Sequence, residues 1–262
     1  MRRILHSLAL LAMLLPAAAS PAAEGSDAGM YLQLIGRMQQ QGAWFASLAH
    51  IQAYRQQHGD SAGLQLLHAD ALRNTGSSDH ARPLYQGLLR GPHRAAALHG
   101  LGLLAMATGD HGQAIEQLAA ASSLAPLRAD YLGDLGYARL TAGQLDAARA
   151  PLAQAAELTP DDGRAVANLA LWQLLAGNHQ AALQMMQRAG LPDTTVQAVQ
   201  AQAVRLRQPS PAPASPALAA APNEPAPGNA GLPGAGAAVR PPGSMLERFA
   251  PSASTDAQAA TP

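Results

Sequence analysis

Nine histidines and seventeen carboxylates are the residues of this chain best suited to acid–base or metal chemistry. The histidines stand at positions 6, 50, 58, 68, 80, 93, 99, 111 and 179. No two are three or four residues apart, so no single helix face offers a pair to a metal. Many fall where turns are predicted, which reads as solvent-facing histidines at helix ends. Adjacent carboxylates occur once, as Asp161-Asp162 just after Pro160. That place suits a helix N-terminus, where a carboxylate accepts backbone N–H groups and offsets the helix dipole. The chain has no cysteine, which removes thiolate metal sites, cysteine nucleophiles, disulfides and a lipidated cysteine anchor. All 17 basic residues are arginine, so lysine Schiff-base and phosphate-loop chemistry is absent as well. No Gly-rich loop follows a strand pattern, no nucleophile elbow is present, and no segment reads as a strand. Seventeen basic residues against 17 acidic give no basic stripe for nucleic acid. The expectation is a protein with no catalytic residues, no cofactor, no metal and no nucleic-acid partner.

The elements explain the chain better than its reactive groups do. Gly42, Gly76, Gly109, Gly143 and Gly177 recur at intervals of 34, 33, 34 and 34 residues. A fixed period of this size marks a solenoid. Around Gly143, Leu132, Leu135, Gly136, Tyr137 and Leu140 precede the glycine, and Leu145, Ala148, Leu152 and Ala155 follow it. Spacings of three and four predict two amphipathic helices joined by a short turn. Glycine suits that turn because a helix end commonly needs a left-handed residue. Small residues also pair 12 apart: Ala69/Ala81, Gly102/Ala114, Gly136/Ala148 and Ala170/Ala182. They predict close helix approach, with Leu118, Leu152 and Met186 filling the space beyond. Pro126 and Pro160 are placed to stop each second helix.

The two ends of the chain differ in composition. Met1-Arg2-Arg3, an apolar run from Ile4, and small residues from Ala17 to Ala23 read as a secretory signal over 1–23, cleaved between Ala19 and Glu24. The alternative, a membrane anchor, has only the run from Ile4 to Ala19, shorter than the roughly 20 residues a spanning helix needs. After cleavage no transmembrane segment and no lipid anchor are expected. From Gln208 onward there are 12 prolines and 16 alanines with two arginines and three acids. So few bulky apolar residues predict a disordered tail over 208–262. Met245, Leu246 and Phe249 form an apolar island in it, either a chance cluster or a short docking motif.

The sets Gly102, Ala105, Gly109, Ala114, Leu118, Ala121, Pro126 and Leu132, Leu135, Gly136, Gly143, Ala148, Leu152, Ala155, Pro160 resemble the tetratricopeptide repeat. The resemblance implies an all-α fold, a right-handed solenoid of helical hairpins over 28–207. Its repeats would be 28–61, which is degenerate with Ile35 and Ser47 at the small-residue positions, then 62–94, 95–128, 129–162 and 163–193. A cap helix over 194–207 would close the end. Within this family, the stretch from Asn168 to Pro192 and the Val/Gln helix after it resemble the tetratricopeptide protein of the Flp-type tight-adherence pilus, the TadD-like family.

That likeness implies an exported scaffold or assembly factor in the periplasm, peripherally associated with the outer membrane, with protein or peptide partners from the pilus secretion machinery. The alternative is a generic periplasmic peptide-binding adaptor in envelope assembly or polysaccharide export. Tetratricopeptide proteins bind partners with residues of the first helix of each repeat. The repeat frame places Asp70, Arg73, Asn74, His99, Leu103, Met106, Asp130, Asp134, Tyr137, Arg164, Asn168 and Leu171 near that surface. Their mixture of polar, apolar and aromatic groups suits a peptide groove, and would also suit an ordinary solvated face. Tyr137 is the expected hot spot. The family's Lys/Asn/Arg carboxylate clamp does not carry over, because lysine is absent.

Overall fold

The structure, a computed structural model, describes residues 21–208, with side chains from residue 27. The expected signal segment up to residue 20 and the tail from 209, with Met245, Leu246 and Phe249, lie outside the described residues. The described chain is helical, without a strand. The helices are α1 (Pro21–Gln40), α2 (Trp44–His58), α3 (Ala62–Asn74), α4 (Ser78–Gly87), α5 (Arg94–Thr108), α6 (His111–Leu124), α7 (Ala129–Thr141), α8 (Leu145–Leu158), α9 (Gly163–Leu175), α10 (His179–Arg188) and α11 (Asp193–Arg207). They form two compact units divided between Asp60 and Ser61, where the sequence reading has a single solenoid.

The unit up to Asp60 holds α1 paired with α2. Ile35, Ile51, Ser47 and Tyr54 are buried between them. Ile35 and Ser47 stand where the later hairpins have small apolar residues, so the pair solves its contact differently. Gln39 donates from Nε2 to Ser47 Oγ at 3.2 Å, and Ser47 donates on to the carbonyl of Trp44 at 2.8 Å. A hydroxyl buried in a helix contact is tolerable because both of its hydrogen-bonding roles are filled. Tyr31 packs edge-on against Tyr54 and shares a hydrogen bond of 3.0 Å with His50.

The unit from Ser61 stacks α3/α4, α5/α6, α7/α8 and α9/α10 in series, with α11 against α9. Across repeats, α3, α5, α7 and α9 touch their successors, which puts the first helices on the inner side of the stack. Ala69, Ala81, Ala114, Ala148, Ala170 and Ala182 are all fully buried. At Gly136 a Cβ would lie 2.4 Å from Leu152 Cγ, and at Gly102 it would lie 2.6 Å from Leu118 Cγ. The small residues therefore admit the large ones one turn beyond, each worth about 1.5–3 kcal/mol of apolar burial.

The turns follow from the periodic glycines. Gly109 is left-handed at φ 76°, and its N–H donates to Met106 O while that of Asp110 donates to Ala105 O. This is the Schellman closure, and it recurs at Gly42, Gly76, Gly143 and Gly177. Of the helices that follow these five glycines only α6 has a side-chain cap, and α3 and α9 are capped after other turns. Asp110 accepts from Gln113 N at 3.0 Å, and Asp162 accepts from Arg164 N at 2.9 Å, which is the capping role its position predicted. Pro126 and Pro160 lie in the turns between repeats, beyond the ends of α6 and α8.

Candidate functional site

The first helices carry a polar cluster on their inner side. Asp70 and Arg73 are one turn apart on α3, and Tyr85 reaches them from α4. Tyr85 donates to Asp70 Oδ1 at 2.7 Å, and Arg73 Nε donates to the same hydroxyl at 3.4 Å. Gly100 on α5 makes this reach possible. A Cβ there would lie 2.3 Å from the Tyr85 ring, so only glycine lets the ring lie against α5. Burial pushes the Asp70 carboxyl above its ordinary range, against the opposing pull of Arg73, Tyr85 and His99. Burial and the neighbouring Asp70 push the Tyr85 phenol well above the usual tyrosine range. Burial works against a charged Arg73, but Tyr85 and Asp70 outweigh it and hold the guanidinium protonated.

A second part of the cluster spans α5 and α7. His99 donates from Nε2 to Asp134 Oδ2 at 2.7 Å. Its ring stacks on Tyr131 with centroids 4.3 Å apart and 21° between planes. Arg128 lies over the Tyr131 ring at 4.5 Å and grips Asp130 with two hydrogen bonds of 2.9 and 2.6 Å. Burial would raise the Asp130 carboxyl, but the bonds and charge of Arg128 win and hold it below the usual range.

The remaining groove candidates separate by depth. Asn74, Leu103, Met106 and Arg164 are half-buried. Asn74 is turned back on its own helix, donating to Asp70 O at 2.9 Å. Leu171 is fully buried, and Tyr137 is 8% exposed within the same core as Leu152, Met186 and Val199. The structure thus places these two in the core where the repeat frame put them near the surface. The reason is α11: it lays Val199 and Ala203 over this end of the stack, and Gln202 donates to Tyr137 Oη at 3.3 Å. Asn168 is likewise buried. Histidine placement also differs from the sequence reading. His111 and His179 do sit at helix starts, but His99 lies mid-helix with its ring engaged.

Tyr85 and Tyr131 were not among the groove candidates. Tyr85 occupies the position that Leu118, Leu152 and Met186 hold in the following repeats. A polar ring in an apolar series, facing Asp70 and Arg73 one helix earlier, was the available signal. Among the described residues, no group of three or more His, Asp or Glu side chains is arranged to hold a metal. No described helix is long and apolar enough to cross a membrane.

Comparison with known proteins agrees with this architecture. The tetratricopeptide repeat family matches residues 66–129, 99–162 and 134–192. The chain carries tetratricopeptide repeats. Among solved structures, a thermophilic tetratricopeptide protein of Thermus thermophilus, TTC0263, is 19% identical with a TM-score of 0.55, covering 68% of this chain and 98% of its own. MamA from Desulfovibrio magneticus RS-1 is also 19% identical, with a TM-score of 0.48, covering 62% of this chain and 92% of its own. No curated protein matches the sequence. Tetratricopeptide repeats generally act as non-enzymatic scaffolds for protein partners.

Proposed function

We propose that this tetratricopeptide protein is an exported periplasmic scaffold, and that it holds components of a tight-adherence pilus during assembly. The observation that carries the scaffold role is the polar inner surface shared by α3, α5 and α7. Asp70, Arg73, His99, Leu103, Met106 and Asp130 come from three successive repeats and remain partly exposed. Such a strip offers hydrogen-bonding groups beside apolar contact area, the combination an extended segment needs for backbone bonding and side-chain seating. The export reading rests on Arg2-Arg3, the apolar run after them and the small residues before Glu24. The pilus reading rests on the resemblance of the segment from Asn168 to Pro192, with the helix after it, to the pilus-associated members of the family. Outer-membrane association would come through a partner, since the chain has no cysteine for a lipid.

The test is an affinity capture from fractionated cells of the source organism, with N-terminal sequencing of the mature chain. The proposal expects a periplasmic protein starting near Glu24 that retains prepilin, secretin or other pilus proteins. A chain that keeps Met1 and stays in the cytosol contradicts the export. Envelope partners without any pilus protein would instead support a general periplasmic adaptor.

A further inference from the structure

The last hairpin carries an open cleft between α9, α10 and the turn before them. Pro160 of that turn, Val166 of α9, and Gln184, Met185 and Arg188 of α10 line it. Its volume is about 420 Å³, within the range of pockets that seat a few side chains. Met185 stands one period after Pro151 and two after Gln117, so an adaptable apolar side chain enters the wall here. Both signs of charge flank the cleft. Arg188 is exposed on its rim and makes no hydrogen bond or ion pair among the described residues. Asp161, directly after Pro160, is exposed as well.

The chain itself carries a segment of matching chemistry. Met245-Leu246-Glu247-Arg248-Phe249 sets three bulky apolar residues within five positions, with one acid and one base between them. We propose that this island docks in the α9–α10 cleft of its own molecule. Its apolar side chains rest on Val166 and Met185, Glu247 faces Arg188, and Arg248 faces Asp161. The start of the tail is in the right place. Arg207, the last residue of α11, donates to Leu174 O at the end of α9, and its Nη1 lies 3.3 Å from His179 Nε2 at the start of α10. The cleft lies toward the other end of this 10-residue helix, about 15 Å away. Between Gln208 and Met245 there are 36 residues, which as a random chain span about 33 Å and fully extended roughly 110 Å. Such a tether holds the island near the cleft at about millimolar concentration. A contact too weak for a free peptide therefore persists within one molecule, and a tighter-binding segment displaces it. The cleft is apart from the inner surface of α3, α5 and α7, so this docking stands or falls independently of the groove.

The test is fluorine NMR on the full chain labelled with fluorophenylalanine. Phe45 and Phe249 are its only phenylalanines, and Phe249→Leu assigns the two signals. The chain has no cysteine, so a nitroxide on Gln187→Cys, beside the cleft, or on Gln86→Cys, on α4, is unique. The nitroxide at 187 is expected to broaden the Phe249 signal at least threefold more than the one at 86, unchanged on tenfold dilution. Met245→Ser with Leu246→Ser, which leaves the solenoid untouched, should remove the difference. Arg188→Glu should weaken it, and Glu247→Arg added to Arg188→Glu should restore it. Equal broadening from the two positions, none from 187, or a difference that survives the serine changes would overturn the proposal. Broadening that appears only when nitroxide and fluorine sit on different molecules would overturn it in favour of a second copy as the occupant.

Discussion

Pro151 has no N–H to give to the carbonyl of Ala147, four residues earlier in α8. Arg139, from α7, supplies the missing donor, its Nη1 lying 2.7 Å from that oxygen. The helix keeps its proline because a neighbouring helix repairs the ladder. Arg139→Leu should therefore cost about 1 kcal/mol of unfolding free energy, and much less in a Pro151→Ala background, where the helix repairs itself. Urea denaturation of the four proteins of this cycle measures the coupling. Strict additivity would mean that the contact is incidental. Gly100 makes a sharper case. A methyl group there must displace the Tyr85 ring, so Gly100→Ala should destabilise by about 1–3 kcal/mol. Gly112→Ala, in α6 with its nearest atom 3.7 Å away, should be neutral or slightly stabilising. Equal melting temperatures would contradict the threading of Tyr85 against α5. For Asp130 the sign of the pH dependence is fixed by its depressed carboxyl. Its contribution to stability is present above the unfolded carboxylate value and is lost as pH falls through the folded one. A carbon-detected NMR titration should place Asp130 below the ordinary range, and Arg128→Met should raise it. An unchanged value in the variant would remove Arg128 as the cause.

At the scale of the element, the recurring pair of small residues sets the distance between the helices of a hairpin. Ala148 has no exposed surface, and its carbonyl lies 3.3 Å from where a Cβ on Gly136 would stand. Ala148→Leu should cost roughly 1–3 kcal/mol through overpacking, whereas Gln144→Leu, at an exposed position just before α8, should cost far less. Thermal melts that coincide would refute the packing account. These elements were readable from the sequence because their determinants are local or strictly periodic. A glycine that must turn left-handed, a small residue 12 positions from another and a proline after a helix each act within one repeat. The site was readable only in part. His99 and Asp134 are 35 residues apart, one off the 34-residue period, so no frame based on equivalent positions pairs them. Tyr85 lies on a second helix, outside the set that a first-helix rule selects. Tyr137 and Leu171 keep their predicted stripe, but α11 covers it, and a cap's footprint cannot be read from the repeat it closes. The start of the solenoid was the other gap. Ile35 and Ser47 break the small-residue rule, and the structure separates that hairpin, as its own compact unit, from the helices beyond Ser61.

For the whole molecule, the claim is that partners bind along the inner side of α3, α5 and α7. The outer helices α4, α6 and α8 would only hold that surface in shape. A scaffold of this kind needs no reactive group; its specificity comes from the spacing of donors, acceptors and apolar contacts over several repeats. The most direct measurement is site-specific photocrosslinking in the source cells. A benzophenone amino acid would replace Leu103 on the inner side in one strain and Gln154 on the exposed side of α8 in another. Crosslinks to one or a few envelope proteins from position 103, with none from position 154, are the predicted result. Crosslinks from position 154 with none from position 103 would place the partner on the outer helices and contradict the account.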